Sequence, residues 1–254
     1  MQQNFDNIST IHPQKIVVLD RGDYTSCTLN LHGATVTSWR IKNQEMVFVS
    51  RQSHFTGLSH IRGGIQFVFP VMGSWIFGPN HGFARDLPWD LEEGPNKTDT
   101  GDVYAIIRLT ANPYTNALWA YKFKLYYKIT LYEYKIVFNI GVENISEIYP
   151  FEFNIMQHSL MRVPDVTKCE FIGFKNCRYK DCLKNNEMMK EEREKVTISE
   201  HTDRIYINAP NQVVVTNVMK GGSLKIVKKR TRDINLWNPW TEKSLTIPDL
   251  GNNR

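Results

Sequence analysis

Two arginines and a histidine stand close together in residues 61–86, IRGGIQFVFPVMGSWIFGPNHGFARD. Arg62 and Arg85 flank an apolar stretch punctuated by Gly and Pro, and His81 sits four residues before the second arginine. A guanidinium is a planar fork of donors that matches phosphate and carboxylate oxygens, and it keeps its charge when partly desolvated. An imidazole titrates near neutral pH and so can move a proton to or from a reacting oxygen. Gly63, Gly64, Gly73, Gly78 and Gly82 would let the backbone approach a ligand closely. The spacing suits a site for an anionic small molecule. It also suits two surface arginines bordering a buried strand and turn.

The elements that must position these residues read as strands. Alternating or β-branched runs occupy 15–19, 27–31, 103–109, 121–131, 135–142, 151–156, 212–218 and 223–227. The clearest is 121–142, YKFKLYYKITLYEYKIVFNIGV, with Tyr132-Glu133-Tyr134 as the turn of a hairpin. Period-two patterning with punctuated turns indicates half-buried antiparallel strands. Residues 94–102 and Gly221-Gly222 read as turns or loops. The charged stretch 183–195, LKNNEMMKEEREK, is the one helical candidate, expected as a surface excursion. With no internal repeat and no linker, a single all-β domain over 1–254 is expected.

Composition narrows the function classes. A chain of 254 residues that is 41% hydrophobic and 12% aromatic can bury a core, and a formal charge of +5 suits an anionic small substrate or simply a solvated surface. The densest basic run, 225–232, alternates with apolar residues and reads as a strand with a solvated face rather than a nucleic-acid patch. No apolar run approaches the ~18 residues of a membrane helix. Cys27, Cys169, Cys177 and Cys182 form no metal-binding pattern, and the polar N-terminus shows no signal peptide. The expectation is a cytoplasmic protein with reduced thiols and no membrane partner.

The block 61–86 resembles the signature of the D-hexose-6-phosphate mutarotases (glucose-6-phosphate 1-epimerases) of the galactose mutarotase-like superfamily. The matching runs are Arg62-Gly63-Gly64-Ile65, Phe69-Pro70 and Asn80-His81-Gly82-Phe83-Ala84-Arg85. LHGATVTSW at 31–39, QHSLMRVPDV at 157–166, HTDRIYINAP at 201–210 and LWNPWTEK at 236–243 follow in the family's order. The resemblance implies a β-sandwich of two large, twisted antiparallel sheets with few short helices and a groove on one sheet. It also implies interconversion of the α and β anomers of a hexose 6-phosphate, glucose 6-phosphate foremost, by a monomer needing no cofactor and no metal. An acid protonates the ring oxygen, a base removes the anomeric proton, and the opened chain recloses on the other face.

On this resemblance His158 is the catalytic acid, just beyond the expected strand 151–156, and Arg62 and Arg85 hold the phosphate. His81 faces the sugar, and Asp203 accepts hydrogen bonds from its hydroxyls. Asn80 stands where glutamine is usual and is one methylene shorter. Plainer readings stay open for two of these: an imidazole bonded to backbone in a turn for His81, and an ion pair with Arg204 for Asp203. His12, His32, His54, His60 and His201 match no catalytic position. Trp237 and Trp240 are expected as core or groove wall.

The family's base is an acidic residue on a strand beyond the equivalent of Asp249-Leu250-Gly251. This sequence ends at Arg254, so that strand is expected to be missing, leaving a neighbouring strand with unpaired backbone groups. Glu242 does not match the base. The readings are therefore an epimerase, a catalytically impaired sugar-phosphate binding protein, or a β-sandwich interaction module with a vestigial groove.

Overall fold

Backbone pairing in this chain is carried by antiparallel ladders, as the period-two pattern demands. The computed structural model describes residues 15–219 and 221–251. They fall into two compact units: the described residues up to Val49 with Ser53–Met161, and Ser50–Gln52 with the described residues from Arg162 onward. His12 and the polar N-terminus lie outside the described residues.

In chain order the first unit carries β1 (Ile16–Gly22), β2 (Thr25–Asn30), β3 (Thr35–Ile41), β4 (Gln44–Glu45) and β5 (Ile65–Val68). There follow β6 (Asp90–Lys97), β7 (Val103–Thr110), β8 (Phe123–Leu131), β9 (Ile136–Asn144) and β10 (Met156–Ser159). One sheet runs β1-β2-β3-β5-β10 with β4 added to β3, and the other is the meander β6-β7-β8-β9. The expected runs at 15–19, 27–31, 103–109, 121–131 and 135–142 fall on β1, β2, β7, β8 and β9.

Burial alternates along β7 and β8, and their register stacks the buried faces. Val103 lies opposite Leu131, Ala105 opposite Ile129, Ile107 opposite Tyr127 and Leu109 opposite Leu125. Each large side chain so buried contributes roughly 1.5–3 kcal/mol. The hairpin turn falls at 132–135, where the Tyr132 N–H donates to the Lys135 carbonyl at 2.8 Å. Phe67 of β5 stacks on Tyr127 of β8 at 5.9 Å, and Phe69 meets Phe123 at 5.3 Å, so the two sheets share one aromatic core.

In the second unit are β11 (Glu170–Ile172), β12 (Arg178–Asp181), β13 (Glu187–Lys190), β14 (Lys195–Val196), β15 (Thr202–Ile207), β16 (Gln212–Met219), β17 (Gly222–Val227) and β18 (Ile234–Asn238). They form two four-stranded sheets, β14-β11-β16-β17 and β13-β12-β15-β18. The core holds Phe174 and Tyr206, stacked at 3.9 Å, with Tyr179, Val196 and Val213. The helices are short: α1 (Pro113–Leu118) and α2 (Trp240–Thr246).

Three expectations are corrected. Residues 183–195 are not a helix: they form a turn, β13 and β14. Asn185 and Asn186 take left-handed φ values of 52° and 61°, conformations Asn tolerates, and the Asn186 N–H donates to the Asp181 carbonyl at 3.0 Å. Pairing of β13 with β12 overrides a helix propensity worth only tenths of a kcal/mol per residue. Residues 151–155 form no strand, because Phe151 and Phe153 are drawn onto Trp119 at 4.9 Å and Phe69 at 5.6 Å. The loop expected at 94–102 begins later, since β6 runs through Gly94 and Pro95, an imino acid tolerated on an edge strand. The expectation of an all-β fold of antiparallel sheets with few short helices holds, the strands of the described residues falling into four sheets.

Candidate functional site

The site grows from β5, whose four residues are all buried. Strand β10 pairs with it so that His158 lies opposite Gln66 and Gln157 opposite Phe67. Side chains alternate faces along a strand, so these two pairs point in opposite directions. On the inner face the Tyr127 hydroxyl donates to Gln157 Oε1 at 2.9 Å beneath Phe67. His158 shares the other face with Gln66, whose Nε2 donates to the Ile61 carbonyl at 2.7 Å. His158 therefore lies within β10, not just beyond a strand as the sequence suggested.

Residues 69–86 bring His81 and Arg85 to the same unit. His81 adopts φ +67° and is tied to Gly73 twice: its N–H donates to the Gly73 carbonyl at 2.8 Å, and the Gly73 N–H donates to His81 Nδ1 at 2.9 Å. The backbone-bonded reading of His81 is thus realised, and it leaves the ring proton of the neutral imidazole on Nε2. At Gly82 an added Cβ would lie 2.2 Å from the Phe69 carbonyl oxygen. A short 3-10 turn, Ala84–Asp86, then presents Arg85. The His81 and His158 rings stand 6.1 Å apart, centroid to centroid.

Arg85 is only 4% exposed. Its Nη2 donates to the Asn80 carbonyl at 3.0 Å, while its Nε has no hydrogen-bond partner among the described residues. A buried donor left without an acceptor costs about 1–3 kcal/mol, more for a charged group. Burial, with the charge of Arg62 adding to it and Asp86 opposing, lowers Arg85 to about 10, so it stays charged at neutral pH. The Asn80 side chain is exposed, and the residue's observed part is its carbonyl. Arg62 is half-buried, its N–H donating to Ser53 Oγ at 2.7 Å.

Both imidazoles are held neutral. Burial first, then the charges of Arg85, His60 and Arg62, lower His81 to about 4. The Gly73 N–H works the same way, because protonating Nδ1 would destroy its acceptor. Burial first, then Arg85, His81, Arg62 and His60, lower His158 to about 3.

Two residues missed by sequence reasoning join this cluster. The Asp86 carboxylate accepts from the His60 N–H at 2.8 Å and from His60 Nδ1 at 3.0 Å. Their positions, two before Arg62 and one after Arg85, were the available signal.

Asp203 belongs to the second unit, on β15, where Asn235 Nδ2 donates to its Oδ1 at 3.1 Å. The alternative ion pair with Arg204 is not formed: Arg204 faces Asp181 at 3.7 Å and Glu200 at 4.0 Å. Trp240 packs against the core of the second unit. Among the described residues no group of three or more His, Cys, Asp or Glu could hold a metal ion, and no helix is long and apolar enough to cross a membrane.

The family described as aldose 1-epimerase matches this chain over residues 15–251. A protein of Cenchrus ciliaris provisionally named a glucose-6-phosphate 1-epimerase is 26% identical over 246 residues, spanning 94% of this chain and 74% of that protein. One from Escherichia coli strain K12 with the same provisional name is 25% identical over 249 residues, spanning 92% and 78%. Among solved structures, a provisionally named mutarotase, YeaD of Salmonella typhimurium, has the same fold: TM-score 0.85 at 22% identity, covering 94% of this chain and 79% of that one.

Proposed function

The chain belongs to the aldose 1-epimerase family, and from that premise we propose that it acts on hexose 6-phosphates, interconverting their α and β anomers. The observation that carries the choice of a phosphorylated sugar is Arg85, a buried guanidinium whose Nε lacks an acceptor, within a cluster that also carries Arg62. A free hexose offers the buried Arg85 Nε no anionic acceptor, and leaving that donor without one is costly. The names of the relatives from Cenchrus ciliaris and Escherichia coli agree with a hexose 6-phosphate.

In this reading Arg62 and Arg85 hold the phosphate, and His81, a neutral donor through Nε2, bonds a sugar hydroxyl. The Asn80 amide adds a further hydroxyl contact. His158 is the acid at the ring oxygen. Its proton affinity without ligand is too low for that task, and part of the reason is the charge of the two arginines. A bound phosphate dianion offsets that charge and raises the affinity of His158 for a proton. The substrate's own phosphate thereby readies the acid. No cofactor takes part.

The test is anomer conversion by the 254-residue polypeptide, followed by polarimetry, with calorimetric titration of glucose 6-phosphate and glucose. Arg85→Ala should weaken glucose 6-phosphate at least tenfold, the worth of one charge-assisted hydrogen bond, and glucose hardly at all. Equal losses for both sugars would sink the assignment of Arg85 to phosphate.

A second reading, a sugar-phosphate binding protein, is favoured by one feature. His158, lowered to about 3 by burial and then by the nearby Arg85, carries no proton to donate at neutral pH without ligand. Tight binding with slow conversion, little changed by His158→Ala, would select this reading.

A further inference from the structure

We propose that the His60–Asp86 pair is a positioning device that sets the separation and orientation of Arg62 and Arg85, and with them the selectivity for a phosphorylated over an unphosphorylated hexose. The proposal rests on the reading above that both arginines hold the phosphate. One carboxylate oxygen, Asp86 Oδ1, takes two hydrogen bonds from His60, one from the backbone and one from the ring, bridging 26 positions of sequence. His60 lies two residues before Arg62 and Asp86 directly follows Arg85, so the pair ties together the two segments that carry the arginines. The side chains are 19% and 18% exposed, so solvent and salt screen the contact less than at an open surface. With two like charges in one cluster, the Asp86 carboxylate also offsets a repulsion that would drive the segments apart.

The groups assigned to the sugar ring are anchored elsewhere. His81 is held by Gly73, and His158 by the ladder between β10 and β5. Breaking the pair should therefore disturb the phosphate contacts and spare the sugar contacts. Two guanidinium forks on one phosphate are sensitive to geometry, whereas a single hydroxyl contact is more forgiving.

The experiment is titration of glucose 6-phosphate, glucose and inorganic phosphate into the wild type and His60→Ala, His60→Asn, His60→Gln and Asp86→Asn variants, with thermal denaturation of each. His60→Ala and Asp86→Asn should weaken both phosphate-bearing ligands by roughly tenfold and leave glucose within about twofold. His60→Asn, whose amide nitrogen can reproduce the Nδ1 donor, should keep most of the affinity, and His60→Gln should not. Rescue by Gln and not by Asn would put Nε2 directly on the ligand and overturn the positioning role. Equal losses for glucose and glucose 6-phosphate would overturn it too. Should His60→Ala fail to fold, the Asn and Gln pair still decides. A wild type without preference for glucose 6-phosphate sinks the function itself, whereas a preference that survives every substitution sinks this inference alone.

Discussion

Arginine and histidine answer burial in opposite ways in the first unit. Arg85 starts so far above neutrality that its lowered value still leaves it charged, so burial yields a cation whose Nε is a donor without an acceptor among the described residues. His81 and His158 start near neutrality, and burial strips their protons. That difference has a consequence for stability. Unfolded, each imidazole titrates near 6.5, while folded they titrate near 4 and near 3. Between those values the unfolded chain binds protons that the folded chain refuses. Stability should therefore fall as pH drops from about 6.5 toward 4, by up to about 1.4 kcal/mol per pH unit for each imidazole, and these two groups should add no slope above 6.5. Denaturant unfolding at several pH values measures it, and His158→Gln should remove its share. An unchanged slope in that variant would show that His158 accepts its proton freely in the fold.

At the scale of elements, the turn bearing His81 and Arg85 is fixed by close approach rather than by propensity. The Phe83 and Ala84 N–H groups both donate to the Phe69 carbonyl, at 3.1 and 3.2 Å, drawing the chain tightly over Phe69. Gly82 sits at that contact with φ +71°, and the atoms a side chain would strike are backbone, which cannot step aside. Gly22, at φ +89°, has nothing within 4 Å of the same construction. Gly22→Ala should therefore cost only conformational strain, roughly 1–3 kcal/mol, while Gly82→Ala should cost clearly more and also lower affinity for glucose 6-phosphate. Thermal unfolding of the pair checks this. Equal costs would mean that the turn can shift without penalty.

Across the whole molecule, the chain passes between the two compact units three times, after Val49, after Gln52 and after Met161. Ser50 is counted with the second unit, and its Oγ donates to the Leu250 carbonyl at 3.1 Å, 200 positions away. With that connectivity neither unit is a continuous stretch of chain, and we propose that the single domain expected from sequence describes their folding. Calorimetry should then show one transition whose calorimetric and van't Hoff enthalpies agree. Two resolved transitions would refute it.

By itself the sequence determined the fold class, most strands of the first unit, and a family identity that the match over 15–251 now shows. Those features are written locally: period-two burial along β7 and β8 is visible in any window, and the run from Arg62 to Arg85 is contiguous. Only tertiary structure decided the fate of 183–195, where a helix-prone run is recruited as strand because β12 offers a partner and Glu191 must reach Tyr206 and Arg193. It also decided that His60 belongs with Asp86, and that burial among arginines leaves His81 and His158 neutral. Hydrogen bonds across 26 positions and the desolvation of a ring depend on which segments meet in space, and no pattern along the chain encodes that locally.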